Sequence, residues 1–321
     1  MTATSASPSS SSATTGTTGT PAPGAAGHRP ALQGQQTSEG ARRRRGATVL
    51  VTAVLAVVTA YFLLPVYWVV VAATKSTQDL FGTNGFWFSA RPQLLSNLGA
   101  VFTYDGGIFV RWLLNSLLYA GLGAVLATYF AAAAGYALAK YDFRGRGLVQ
   151  ALVLGGVLVP GTATALPLFL LFSQMGLANT YWGVLVPSLV SPFGVFLCQV
   201  YARATVPDSM VEAARLDGAG ELRIFHVFAL RALAPALVTV LLFQVVGIWN
   251  NYFLPLVMLA DQQLYPVTLG LTAWRSQVDR LPEFYQLTTA GVLVSVVPLA
   301  IAMLVLQRYW RGGLTEGAVK D

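Results

Sequence analysis

The sequence predicts an all-α fold, a polytopic membrane helical bundle of six spans, and three observations carry that expectation. Of the 321 residues, 55% are hydrophobic and only 10% charged, with a mean hydropathy of +0.60, whereas a soluble domain averages about 25% charged residues. Six runs without a charge, 48–73, 113–139, 148–173, 181–201, 232–254 and 287–307, each reach the length of about 20 residues that crosses a bilayer. When those runs are laid across a membrane, fifteen of the 20 Lys and Arg residues fall on one side and five on the other. Short loops rich in Lys and Arg stay cytoplasmic, so both termini and the 140–147 and 202–231 loops are expected there. The net charge of +7 and the pI near 9.7 then follow from topology, without a nucleic-acid partner.

Taken in order, the chain opens with a segment, 1–46, that reads as a disordered cytoplasmic tail. Of its first 40 residues 32 are Ser, Thr, Gly, Ala or Pro, and no aromatic residue precedes Tyr61; such a composition buries too little surface to offset its ordering entropy. Arg42 to Arg45 then lead into the first run. Its 26 residues exceed the apolar core of a signal peptide, about 7 to 15 residues, so it is expected to remain as an anchor. Residues 47–321 form the six-span domain. Pro65, Pro160, Pro167, Pro187, Pro192, Pro235, Pro255 and Pro298 interrupt the runs. Freed backbone groups are tolerated where neighbouring helices or a wet cavity satisfy them, which favours a bundle around a pathway; the plainer alternative is that Pro and Gly are simply commoner in membrane helices.

Several classes of chemistry are excluded. Cys198 is the single cysteine, so neither an intramolecular disulfide nor a cysteine metal site is available. His28 and His226 are far apart, no nucleophile pattern surrounds them, and no G-x-x-x-x-G-K-[ST] run cradles nucleotide phosphates. No catalytic residue, metal or cofactor is expected, and any ATP hydrolysis belongs to another polypeptide.

The 202–231 loop is the most informative segment. Pro207 suits the first turn of a helix and Gly218 its end, so a short helix is expected from about 207 to 217, followed by a turn at 218–220 and a second helix from about 221. Such a pair either docks into a partner's groove or lies on the lipid surface. Glu212-Ala213-Ala214, three residues, then Gly218 resembles the EAA loop of binding-protein-dependent ABC importer permeases. Phe228 and Leu230 continue the pattern, but Arg231 stands where that family usually has proline. Gly176-Leu-Ala-Asn-Thr-Tyr181, Trp249-Asn-Asn-Tyr252 with Pro255, and Gly313-Leu-Thr-Glu-Gly-Ala-Val-Lys320 are similar to the carbohydrate-uptake branch.

The resemblance implies a permease subunit in a bacterial cell membrane, for a sugar or oligosaccharide. Its implied partners are a cytoplasmic ABC ATPase dimer, a second homologous permease and an extracytoplasmic solute-binding protein. It implies that Glu212, Ala213, Ala214, Asp217 and Gly218 couple to the ATPase, with the two alanines permitting close approach. A permease of the same fold for another solute, such as a peptide or osmolyte, remains open. A secondary carrier is disfavoured, because such carriers often hold ionisable residues in their spans and these spans have none.

Polar side chains within spans usually face the bundle interior, which makes Asn115, Gln244, Trp249, Asn250 and Asn251 candidates for the pathway, amides and an aromatic face being suited to a polyol. The same residues could instead bond between helices or belong to an interfacial belt. On the other side of the membrane the 255–286 loop is long for its task, and Trp274 and Arg275 are its candidate anchors for the binding protein; the alternative is an interfacial re-entrant turn.

Overall fold

The computed structural model describes residues 33–315, with side chains from Thr48 to Gln307 and at Tyr309. Residues 1–32 of the expected tail lie outside the described residues. The first helix, α1 (Gln33–Ala73), already includes the end of that stretch; Gln, Glu, Ala and Arg are good helix formers, and they make up most of 33–46. Among the described residues there is no strand.

From Phe62 onward the chain forms one unit. After α1 come α2 (Thr77–Gly82) and α3 (Leu94–Thr103). Asp105 and Gly106, both at positive φ, then turn the chain into α4 (Ile108–Lys140). The remaining helices are α5 (Arg146–Leu158), α6 (Gly161–Gln174), α7 (Tyr181–Ser188), α8 (Pro192–Thr205), α9 (Asp208–Leu216), α10 (Glu221–Ile224), α11 (Leu230–Ala232), α12 (Ala234–Trp249), α13 (Phe253–Met258), α14 (Val267–Arg275) and α15 (Glu283–Thr315). A π-helical turn at Phe225–Ala229 joins α10 to α11.

The long α4 is the axis of the unit, and α8 and α12 pack along it. Small residues on one face, Ala124, Ala127, Ala131, Ala132 and Gly135, are buried there; in lipid, helix association depends on such close backbone approach. The contact is tightest at Gly135, where a Cβ would fall 2.7 Å from the Cys198 Cβ and 2.7 Å from the Gln199 backbone nitrogen. Two buried clusters follow along the axis. One, at the amino-terminal end of α4, gathers Phe109, Trp112, Tyr119, Trp274 and Phe284. The other, toward its carboxyl end, gathers Ala131, Tyr136, Cys198, Val211, Ala214, Ile224 and Phe225.

Four helical stretches are long and apolar enough to cross a membrane, Thr48–Ala73, Leu94–Lys140, Tyr181–Thr205 and Glu283–Gln307. The other two expected spans are bent. α5 and α6 meet at 109°, and the α10–α11 segment meets α12 at 81°. At the first bend Pro160 supplies no N–H to continue the helix. Each bent pair joins opposite ends of α4. Beside its carboxyl end, Arg146 Nε donates to the Leu138 carbonyl at 3.1 Å and Tyr141 Oη donates to Glu221. At the far end of the first pair, α6 packs on α13, whose Met258 carbonyl accepts from the Asn179 backbone N–H at 2.8 Å. The chain just beyond, at 262–265, is bonded to the amino-terminal half of α4 by Trp112, Asn115 and Tyr119. The second pair ends beside the same segment, the Asn251 carbonyl accepting from Thr268 Oγ1 at 3.2 Å. The first pair therefore runs from one end of α4 to the other instead of returning to its starting side, and in the second α12 makes that passage while α10 and α11 belong to the 202–231 loop.

Candidate functional site

At the carboxyl end of α4 the 202–231 loop folds as the expected helical pair, with Pro207 just ahead of α9. Asp208 lies in the first turn of α9, where a negative charge is favoured, and its carboxylate accepts from Lys140 Nζ at 2.7 Å. The helix has two faces. Val211 and Ala214 are buried against Tyr136, Ala202, Val206, Ile224 and Phe225, while Glu212, Ala213, Leu216 and Asp217 point outward. Leu216 is 90% exposed and Leu222 on α10 is 77% exposed, so two apolar side chains flank the carboxylates on an open surface. Gly218 has φ +80°, the left-handed region in which a Cβ is strained, and it ends the helix. The expected role of Ala214 in close approach to a partner is corrected: its methyl faces the bundle, and close approach there is between elements of this chain.

A polar brace holds the turn beneath this surface. Arg215 Nε donates to Glu221 Oε1 at 2.6 Å across the 218–220 turn, and Tyr141 Oη donates to Oε2 of the same carboxylate. Burial, and next the bond to Glu221, push the Tyr141 hydroxyl well above its ordinary range, so it remains a proton donor. His226, in the π-helical turn, has Nδ1 2.7 Å from the Leu222 carbonyl and Nε2 3.1 Å from Tyr129 Oη. That carbonyl only accepts, which places a proton on Nδ1, and the ring bridges the loop to α4. Arg231 is exposed. The 81° turn is made two residues later at Leu233, with Pro235 in the first turn of α12, so the bend is built without a proline at 231.

On one side of the unit an open cavity of about 1130 Å³ forms where three interruptions of the helices converge, at 159–160, 189–191 and 250–252. Irregular backbone at membrane depth is tolerated where it lines a cavity. The lining is mostly apolar, from Pro167, Leu171, Phe172, Pro187 and Ile248, with Thr162, Thr164, Ser188, Gln244 and Asn251 as its polar side chains. No charged residue lines it. Of the five expected pathway residues, Gln244 and Asn251 line this cavity. Asn250 is exposed beside it, its amide returned to the Val246 carbonyl at 2.9 Å.

The other two are corrected. Trp249, 5% exposed, faces away from this cavity, toward a separate small pocket of about 180 Å³ that it lines with Leu117, Ala120, Val245 and Leu299. Asn115, 3% exposed, is fully occupied as a clamp: Nδ2 donates to the Gln263 carbonyl at 2.8 Å and the Tyr265 carbonyl at 3.0 Å, and Oδ1 accepts from Tyr181 Oη at 3.0 Å. Trp112 Nε1 and Tyr119 Oη donate to the carbonyls of Gln262 and Leu264, so three side chains of one helix hold four consecutive carbonyls.

The 255–286 loop is thus a folded structure. Trp274, expected to anchor a partner, is 3% exposed and packs among Tyr104, Phe109, Trp112 and Phe284; an indole filling the core is not presented to a partner, and that expectation is corrected. Arg275 is exposed, its guanidinium 5.1 Å from the centre of the Tyr285 ring. A residue that sequence reasoning passed over, Asn179, pins the same loop. At φ 56° its Oδ1 accepts from the backbone N–H groups of Ala260 and Asp261; the available signal was its place in the 176–181 motif. Among the described residues no group of His, Cys, Asp and Glu could hold a metal ion.

Comparison with known proteins places these features in context. The family described as "Binding-protein-dependent transport system inner membrane component" matches residues 123–313. The arabinooligosaccharides transport system permease protein AraQ of Bacillus subtilis is 32% identical over 260 residues, covering 81% of this chain and 91% of the relative. The osmoprotective compounds uptake permease protein GgtD of Synechocystis is 30% identical over 278 residues, covering 83% and 91%. Among solved structures, a chain of a bacterial ABC transporter involved in the import of the acidic polysaccharide alginate superposes with a TM-score of 0.73 at 23% identity, covering 84% of this chain and 98% of that one.

Proposed function

Because the chain belongs to the family of binding-protein-dependent transport system inner membrane components, we propose that it is the permease subunit of an ABC importer for a sugar or oligosaccharide. It pairs with a second homologous permease, takes its solute from an extracytoplasmic binding protein and is driven by a separate ATPase dimer. The six-span domain is 47–321, preceded by a cytoplasmic tail, 1–46, and both termini lie in the cytoplasm. The observation that carries this reading is the division of α9 into a buried and an open face. Val211 and Ala214 tie it to the bundle, so a force on its open face is borne by α4 and α8 rather than absorbed by a loose loop. Glu212, Ala213, Asp217 and the turn at Gly218 form the ATPase contact, as rigid-body coupling requires. The cavity at Gln244 and Asn251, with amides and hydroxyls but no charge, suits an uncharged polyol and contributes this subunit's share of the pathway. Arg275 remains the candidate for contact with the binding protein.

Affinity purification of the tagged chain from its native membrane should bring down an ATPase subunit carrying a nucleotide-binding motif. Glu212→Lys should lose that subunit and abolish sugar uptake while the permease stays at normal abundance in the membrane. Retention of both the ATPase and uptake by Glu212→Lys would refute the coupling role. A second reading, import of osmoprotective solutes, draws on the likeness to GgtD; a solute panel measured in the same cells separates the two.

A further inference from the structure

The segment between α2 and α3 carries three consecutive aromatic residues, Phe86, Trp87 and Phe88, all exposed, Trp87 to 68%. A contiguous aromatic surface of this kind marks a binding face rather than an ordinary water-facing loop. We propose that these three residues form an aromatic finger that enters the headgroup–acyl boundary of the lipid bilayer beside the Ala73 end of the first span.

The position of the finger follows from what holds it. Tyr67, inside the uncharged run of α1, donates from Oη to the Phe86 carbonyl at 2.8 Å, and its ring stands edge-on to Phe88 with centroids 6.5 Å apart. The finger therefore folds back along α1 instead of projecting away from it. Tyr67 precedes Ala73 by six residues, about 9 Å along a helix axis. The run Thr48–Ala73 is 26 residues long, about 39 Å, and exceeds a hydrocarbon core of about 30 Å by the same 9 Å. With Thr48 set at one edge of that core, as the charge pattern of the sequence directs, Tyr67 falls at the opposite edge. Tyr and Trp concentrate at that depth because an apolar ring body meets lipid there while its polar handle meets water.

The root of the finger is fixed. Lys75, 1% exposed, donates from Nζ to the Asn84 carbonyl at 2.6 Å and to Thr83 Oγ1 at 2.9 Å. Asn84 Oδ1 in turn accepts from the Phe86 backbone N–H at 2.9 Å. A buried ammonium is costly unless its donors are satisfied, so this arrangement holds the turn in one geometry. Residues 83–92 contain no acidic side chain and one cation, the exposed Arg91, which suits an anionic lipid surface rather than opposing it.

The test uses the full transporter complex reconstituted in vesicles of phosphatidylcholine and phosphatidylglycerol. Cys198→Ala removes this chain's single thiol, the complex carrying that substitution alone is labelled in parallel to subtract its companions' thiols, and Trp87→Cys or Phe86→Cys accepts an environment-sensitive NBD label; Gln277→Cys provides a water-facing control. At 86 and 87 the emission should be blue-shifted relative to 277. It should be quenched several-fold more by lipids bearing a nitroxide near the headgroup than by lipids bearing it near the chain end, and only weakly by aqueous iodide. Iodide quenching equal to that at 277 would overturn the proposal and leave the finger free for a protein partner. A label at both positions that neither lipid nitroxides nor iodide reach would overturn it too, because another protein chain would then cover the site.

Discussion

Replacing Asn115 with Leu separates two roles that the same residue could play. The two side chains share one branched heavy-atom skeleton, so the change removes hydrogen bonds without leaving a cavity. Three bonds are lost, two to the carbonyls of Gln263 and Tyr265 and one from Tyr181. Side-chain hydrogen bonds between membrane helices average about 0.6 kcal/mol each, so the loss should be about 2 kcal/mol. Trp112 and Tyr119 still hold Gln262 and Leu264, so the 262–265 segment should loosen rather than detach. The purified variant in detergent should melt at lower temperature than the wild type, and limited proteolysis should cut more rapidly near 259–266. Asn115→Asp should be at least as destabilised, since it keeps the acceptor for Tyr181 but sets a carboxylate against two carbonyls. A variant with wild-type melting and cleavage but altered solute affinity would refute the clamp and return Asn115 to the pathway.

Gly135→Ala should destabilise the α4–α8 contact by about 1 to 3 kcal/mol, the usual range for overpacking, as read from thermal unfolding. Shrinking Cys198 to Ala should not rescue it, because the Gln199 backbone nitrogen and the Val195 carbonyl lie as close to the added methyl as the Cys198 Cβ. Single cysteines at Ser38, Gly145 and Gln277 in a Cys198→Ala background should accept an impermeant thiol reagent from outside only at 277; labelling of 145 from outside would overturn the proposed orientation.

Much of the fold is legible in the chain because its main determinants are local. Uncharged runs give the spans, and Pro207 and Gly218 delimit a helix that spans Asp208–Leu216. What stays hidden depends on distant partners. The 148–173 run reads as one span, and nothing local distinguishes the sharp bend at Pro160 from the proline that α6 accommodates at 167. Asn115 and Asn251 are alike in sequence as amides in apolar surroundings. One is consumed by carbonyls about 150 residues away and the other borders a cavity. Trp274 and Trp87 both lie between uncharged runs, yet one fills the core and the other is exposed. Within the EAA triplet the helical period alone turns Ala214 inward and leaves Glu212 and Ala213 outward, once the bundle supplies the side to which α9 is fastened.

The clamps at the two ends of α4 have a mechanical consequence. At 1.5 Å per residue this 33-residue helix is a rod about 50 Å long, gripped at one end by the 262–265 carbonyls and joined at the other, through Tyr136 and Lys140, to α9. A tilt of about 5° about its midpoint carries each end roughly 2 Å, in opposite directions, over the lever length set by that rise. The fastened carbonyls have to travel with the rod, so a displacement imposed at α9 reappears, inverted, in the loop on the other face of the membrane. The give needed for such a rocking motion then falls to the kinked neighbours, at Pro160 and Leu233, whose interrupted helices can flex while the rod stays straight.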